Sequence, residues 1–123
     1  MLEEELTQKI IGCAYKVHNV LGSGFMEKVY ENALFIELEQ KGLEVKQQIP
    51  IDVCYQGIVV GDYIVDLLVE DKIIIELKAV RNICREHEVQ LVNYLTATGK
   101  DIGLLLNFGL ESVQIKRRLR KHL

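Results

Sequence analysis

The sequence lacks the basic excess by which non-specific nucleic-acid binders are usually recognised. Its 123 residues carry 15 Lys and Arg against 18 Asp and Glu, a formal net charge of −3, with a pI near 5.6. Bulk electrostatic attraction therefore cannot be the main source of affinity for a polyanion. The basic charge present is local: Lys116-Arg117-Arg118, with Arg120, Lys121 and His122, either tracks a phosphate backbone or solvates an end strand. No C-x-x-C pair occurs. The three cysteines, Cys13, Cys54 and Cys84, are odd in number and far apart, which argues against a zinc site or a disulfide framework and for reduced thiols. No apolar run approaches the ~20 residues of a membrane span, and the opening Glu3-Glu4-Glu5 replaces the positive start of a leader. The expectation is a cytoplasmic protein with no membrane association. Repeats, linkers and low-complexity segments are also missing, and proline occurs once. A chain this long and 49% hydrophobic is expected to form one domain, residues 1–123, with a real core.

What the chain does have is three charges inside two nearly unbroken apolar runs. Ile64 to Val69 contains Asp66, and Lys72 to Val80 contains Glu76 and Lys78. A turn at Glu70-Asp71-Lys72 would join the runs as an antiparallel hairpin, and pairing symmetric about Asp71 sets Asp66 opposite or nearly opposite Glu76. Glu76 and Lys78, two apart on a strand, project to the same face. Buried ionised groups cost several kcal/mol unless paired or coordinating a metal. Lys78 can neutralise one charge, and two oxygen-bearing groups facing one cavity suit a hard cation such as Mg2+. Such a cation polarises a phosphoryl oxygen and acidifies a bound water, with Lys78 placed to orient that water and offset developing charge.

Helical spacing of Leu6, Ile10, Ala14, Val17 and Leu21 predicts a first helix over Glu3 to Leu21. A second, from Phe25 to Lys41, follows Gly22-Ser23-Gly24, with Ser23 as its N-cap, and stops at Gly42. Strands are expected at 44–49, 51–55 and 58–60, separated by Pro50 and the Gln56-Gly57 turn. A third helix runs from about Arg85 to Thr98 with Gly99 as its stop, then a buried strand from Ile102 to Phe108. Val113 to Leu119 fits an edge strand or a basic helix. The order implies an α/β or α+β fold, one mixed sheet with helices on its faces. Glu27 continues the apolar stripe of the second helix and should point inward, while His87, Gln90 and Tyr94 form a polar seam on the third.

Asp66 followed by Glu76-Leu77-Lys78 resembles the signature of the PD-(D/E)xK nuclease superfamily, and Gly24-x-x-Glu27-x-x-Tyr30 resembles the motif naming its GxxExxY family. The resemblance extends to 30–34, 76–80, His87-Glu88-Val89-Gln90, Tyr94-Leu95 and 103–109. It implies a restriction-endonuclease-like α/β core, a central mixed sheet flanked by helices, whose site lies where two strands diverge. It further implies Asp66 and Glu76 as ligands of Mg2+, with Mn2+ as a substitute and the Leu77 carbonyl as a third ligand. Lys78 would be the catalytic lysine and Glu27 the completing acid. Gln90, Tyr94, Tyr30 and His87 would bind substrate or support the site. The implied activity is hydrolysis of nucleic-acid phosphodiester bonds, with DNA expected over RNA, by a homodimer or with a recruiting partner protein. The alternative is a non-catalytic or partner-activated module on the same scaffold, binding nucleic acid or protein.

Overall fold

The computed structural model describes residues 3–121, so His122 lies outside the described residues. Helix α1, Glu4–Leu21, opens with Glu4 and Glu5 at its positive dipole end and buries Ile10, Ala14 and Val17 at helical spacing. Helix α2 spans Glu27–Gln40, beginning two residues later than the periodicity predicts. Phe25 is held out of the helix because its amide donates to the Tyr30 hydroxyl, 3.2 Å away, and Gly24 has φ 105, a conformation no helix admits. Met26 rather than Ser23 occupies the N-cap position.

Strand β1 runs unbroken over Val45–Tyr55. It is an outer strand of the sheet, where the missing amide of Pro50 can face away from the ladder. Gln56 and Gly57, both at positive φ, turn the chain into β2, Ile58–Val69, which joins the pieces expected at 58–60 and 64–69 into one strand. Glu70 and Asp71, also at positive φ, make the second tight turn, with the Lys72 amide donating to the Val69 carbonyl at 3.0 Å. Strand β3, Ile73–Lys78, leads through helix α3, Arg85–Thr98, to β4, Ile102–Asn107. The tail resolves as an edge strand, β5, Gln114–Leu119, not a helix.

The five strands lie in chain order. β3 and β4 are parallel, with α3 as the crossover, and the other neighbours are antiparallel. This is the mixed, helix-flanked sheet expected. One face carries α1 and α2 over Ile73, Ile75 and Leu77 of β3 and Ile102, Leu104 and Leu106 of β4. The opposite face carries α3, whose Leu91, Tyr94 and Leu95 meet Ile74 and Leu105. Among the described residues no helix is long and apolar enough to cross a membrane.

Candidate active site

The hairpin of β2 and β3 is centred on Asp71, as its symmetry requires. Its rungs are Val69↔Ile73, Leu68↔Ile74 and Leu67↔Ile75. The next would set Asp66 against Glu76, and there the ladder stops. In its place the carboxylates bond across the gap: the Asp66 amide donates to Glu76 Oε1 at 3.0 Å, and the Leu77 amide donates to Asp66 Oδ2 at 2.9 Å. The two acids thus hold the diverging strands together at the point of separation. Burial raises both carboxyls. For Asp66 the Leu77 amide partly opposes this. For Glu76 the charge of Asp66 adds to it, and the group is pushed up to about 8.

A local reversal of β1 and β2 creates that geometry. Val45 packs beneath the first two helices, but Ile51 packs with α3, although simple alternation would put both on one side. Likewise Leu67 faces the first cluster and Val65 the second. Between them lies Gln48 at φ 55, and its partner across the strands by register is Asp66. The side-chain amide of Gln48 donates to Asp66 Oδ1 at 3.4 Å and to Glu31 Oε1 at 2.9 Å.

Glu31 is the acid that hydrophobic patterning reads as exposed. It is only 2% exposed, paired with Lys28 at 2.9 Å and bonded also by Gln47. Glu31, Gln47 and Gln48 are therefore site residues that sequence reasoning misses. The one signal in the sequence is the pair of adjacent amides, Gln47 and Gln48, in the middle of β1. Glu27, at the first turn of α2, is half-buried. Burial raises its carboxyl most, Lys78 opposes this, and Asp66 and Glu31 add to it. Yet no group of three or more His, Cys, Asp or Glu among the described residues gathers closely enough to hold a metal. Glu27 stands beside the Asp66–Glu76 pair rather than joined to it.

Lys78 lies on the same face as Glu76, and its ammonium makes no ion pair or hydrogen bond among the described residues. Its backbone is firmly held: the Phe108 amide donates to the Lys78 carbonyl at 2.8 Å. Just beyond, the buried Asn107 side chain grips Val80, accepting from its amide at 3.0 Å and donating to its carbonyl at 2.8 Å. Gly109 permits the approach, since a Cβ there would lie 2.3 Å from the Val80 oxygen. Asn107 is a second supporting residue that the sequence pattern conceals.

The remaining predicted residues separate into two places. Tyr94 and Gln90, on α3, line a cleft of about 560 Å3 together with His87 and with Tyr63 of β2. Burial, then Glu76, then Asp66, push the Tyr94 hydroxyl up to about 12, against a hydrogen bond with Gln90, which places this seam within electrostatic reach of the carboxylates. His87 is partly committed to its own helix, its Nδ1 accepting from the Cys84 amide at 3.3 Å. Tyr30 is elsewhere: it is fully buried, stacks on Phe108 with centroids 4.8 Å apart and donates to the Gly22 carbonyl at 2.6 Å. It supports the site by fixing the loop that starts α2, and it does not face the cleft. In the basic tail, Arg118 pairs with Glu88 and Arg120 with Asp101.

The donor set suits a hard divalent cation: two carboxyls whose ionised forms burial disfavours, on one edge, with the Leu77 backbone between them. Mg2+ is held in this way, by one or two carboxylates with waters and substrate phosphates.

The fold is found in known nucleases. The alkaline exonuclease LHK-Exo of Laribacter hongkongensis superposes with a TM-score of 0.52 at 15% identity, over 93% of this chain and 82% of that one. Its complex with dAMP gives 0.53 at 15% identity, over 94% and 83%. The crystal structure of SSO0001 gives 0.58 at 19% identity, over 96% of this chain but 59% of that one, so the chain spans about three-fifths of SSO0001. No curated protein matches it in sequence. The model of the PD-(D/E)XK nuclease superfamily matches residues 4–119, nearly the whole sequence, and the chain belongs to that superfamily.

Proposed function

We propose that the chain is a Mg2+-dependent nuclease of the GxxExxY branch, one domain over residues 1–123, that hydrolyses phosphodiester bonds of DNA in the cytoplasm. The observation that carries this reading is the termination of the β2–β3 ladder on Asp66 and Glu76 beside Lys78, whose ammonium makes no ion pair among the described residues. An ion-pair network built for stability would have closed on that ammonium. Asp66, Glu76 and the Leu77 carbonyl would hold the cation, which supplies Lewis acidity and a more acidic water. Lys78 hydrogen-bonds the attacking water and offsets charge on the phosphoryl oxygens. The water oxygen forms a bond to phosphorus as the ester P–O bond breaks, leaving one fragment with a phosphate monoester and the other with a hydroxyl. Glu27 completes the acidic cluster from α2, and Gln90, Tyr94 and His87 contact the substrate.

Purified protein and Lys78→Ala are incubated with labelled single-stranded, duplex and branched DNA, and with RNA, in Mg2+, Mn2+ or EDTA. Metal-dependent cleavage by the unsubstituted protein alone is expected. Cleavage that survives Lys78→Ala at an unchanged rate overturns the site assignment. Mg2+ should also raise Tm by mass action, and Asp66→Asn should abolish that rise.

A second reading has its own support. With Arg118 and Arg120 of the basic tail in ion pairs and a net charge of −3, the chain has no overall basic excess, which suits a module activated or recruited by a partner protein, or by a second copy. Metal-induced stabilisation without cleavage of any substrate would favour it.

A further inference from the structure

The cleft between α3 and Tyr63, which lies three residues before Asp66 on β2, has one wall that no motif accounts for. Tyr63 is 47% exposed and sits on the outer part of β2, opposite Ile51, beyond Leu67, where pairing with β3 has already ended. Its ring centroid lies 5.5 Å from that of Tyr94, tilted by 55°. Across the cleft stand Arg85, His87 and Gln90. Arg85 is exposed and makes no ion pair among the described residues.

We propose that Tyr63 is a stacking platform for a nucleobase of an unpaired DNA strand, which the cleft delivers to Asp66, Glu76 and Lys78. This rests on the nuclease reading above. A ring on a protein surface can receive a base face only where that base has left its own stack, as in single strands, flaps and flipped nucleotides. Regular duplex offers no such face. The alternative source of affinity is weak here, because Glu86 also lines the cleft and the chain is acidic overall. Stacking is indifferent to those charges. Tyr63 supplies the π surface, Arg85 contacts the backbone phosphate, and the amide of Gln90 meets the base or sugar edge.

The chain contains no tryptophan, so Tyr63→Trp introduces a single fluorophore at the proposed contact. In a Lys78→Ala background, which leaves the oligonucleotide intact, single-stranded oligothymidylate should quench it saturably, and a blunt duplex should need at least tenfold higher concentration. Competition should then show Tyr63→Phe within about twofold of the parent and Tyr63→Leu weaker by roughly tenfold or more, the range of one lost base stack. Tyr63→Leu keeps the apolar cover over Tyr94, so a merely structural ring predicts no loss. Equal quenching by duplex, or unweakened binding by Tyr63→Leu, overturns the proposal. Single-stranded RNA distinguishes the sugar: quenching by RNA alone overturns the assignment to DNA. Cleavage is scored separately with Lys78 intact. Quenching as expected without any cleavage removes the nuclease reading and leaves the platform. Cleavage whose preference for unpaired strands survives Tyr63→Leu does the reverse.

Discussion

The two faces of β3 are made by alternate residues of one short strand, and they have opposite characters. Ile73, Ile75 and Leu77 lie in a closed apolar layer under α1 and α2. Ile74, Glu76 and Lys78 point to the side of α3, where the smaller apolar cluster gives way to carboxylates, an ammonium and an open cleft. Stability is concentrated on the first face, so the second can carry buried charge whose desolvation would be intolerable in a domain with only one such layer. Function here is carried by the half of the sheet least needed for folding.

Substitutions on neighbouring positions should therefore separate activity from stability. Lys78→Ala should lower cleavage by roughly 10²–10³-fold or more while leaving Tm nearly unchanged, because the ammonium makes no ion pair among the described residues. Single-turnover assays with a thermal melt check both halves. Ile75→Ala, on the closed face, should do the opposite, costing about 2–5 kcal/mol of unfolding free energy by chemical denaturation, with the turnover of the remaining folded molecules preserved. A large loss of stability from Lys78→Ala would erase the contrast.

The legible parts of the molecule are those whose causes are local. Helix α3 matches its expected ends, Arg85 and Thr98, because its stripe and Gly99, at φ 73, lie within one segment. The hairpin register about Asp71 was legible because a tight turn and period-2 alternation leave only one pairing. Asp66, Glu76 and Lys78 stood out because charge in an apolar strand requires a reason. What escaped depends on distant partners. Glu31 looks solvated until Gln47 and Gln48 arrive from β1 to bond it. The start of α2 was misplaced because a tertiary contact, Tyr30 to Phe25, holds one residue out of the helix. Tyr63 resembles any strand tyrosine until α3 is laid beside it. The tail could be read either way, since alternation over Val113 to Leu119 competes with its basic, helix-compatible composition.

The charged face should also respond to pH in a way the apolar face cannot. The folded chain holds the Glu76 proton up to about 8, against 4.5 for an unperturbed glutamate. Between these values the folded state binds more protons than the unfolded state. Without divalent cation, stability should therefore fall as pH rises through this window, with a slope set by the proton Glu76 releases on unfolding, and level off above it. Asp66 and Glu27 shift in the same direction and steepen the fall. Denaturation in EDTA across the window measures the slope, and Glu76→Gln should remove most of it. Mg2+ should stabilise more at the high end, where the carboxylates are ionised, and so flatten the curve. A stability rising with pH in EDTA would show that Glu76 is not held protonated.

The smallest effect tests how the two faces communicate. Gln48 sits at the reversal of β1 and bonds both Glu31, on α2, and Asp66, at the site. Gln48→Ala removes the side chain alone, because φ 55 is as strained for alanine as for glutamine. Gln48→Gly removes the side chain and relaxes the backbone together. Glu31 keeps Lys28 and Gln47, so stability should hardly change. Asp66 Oδ1 loses its side-chain donor, however, and cleavage should fall by roughly 2–10-fold, the worth of one ordinary hydrogen bond. If Gln48→Ala cuts at the parental rate while Gln48→Gly does not, Gln48 acts only through its backbone, and the strand reversal alone positions Asp66.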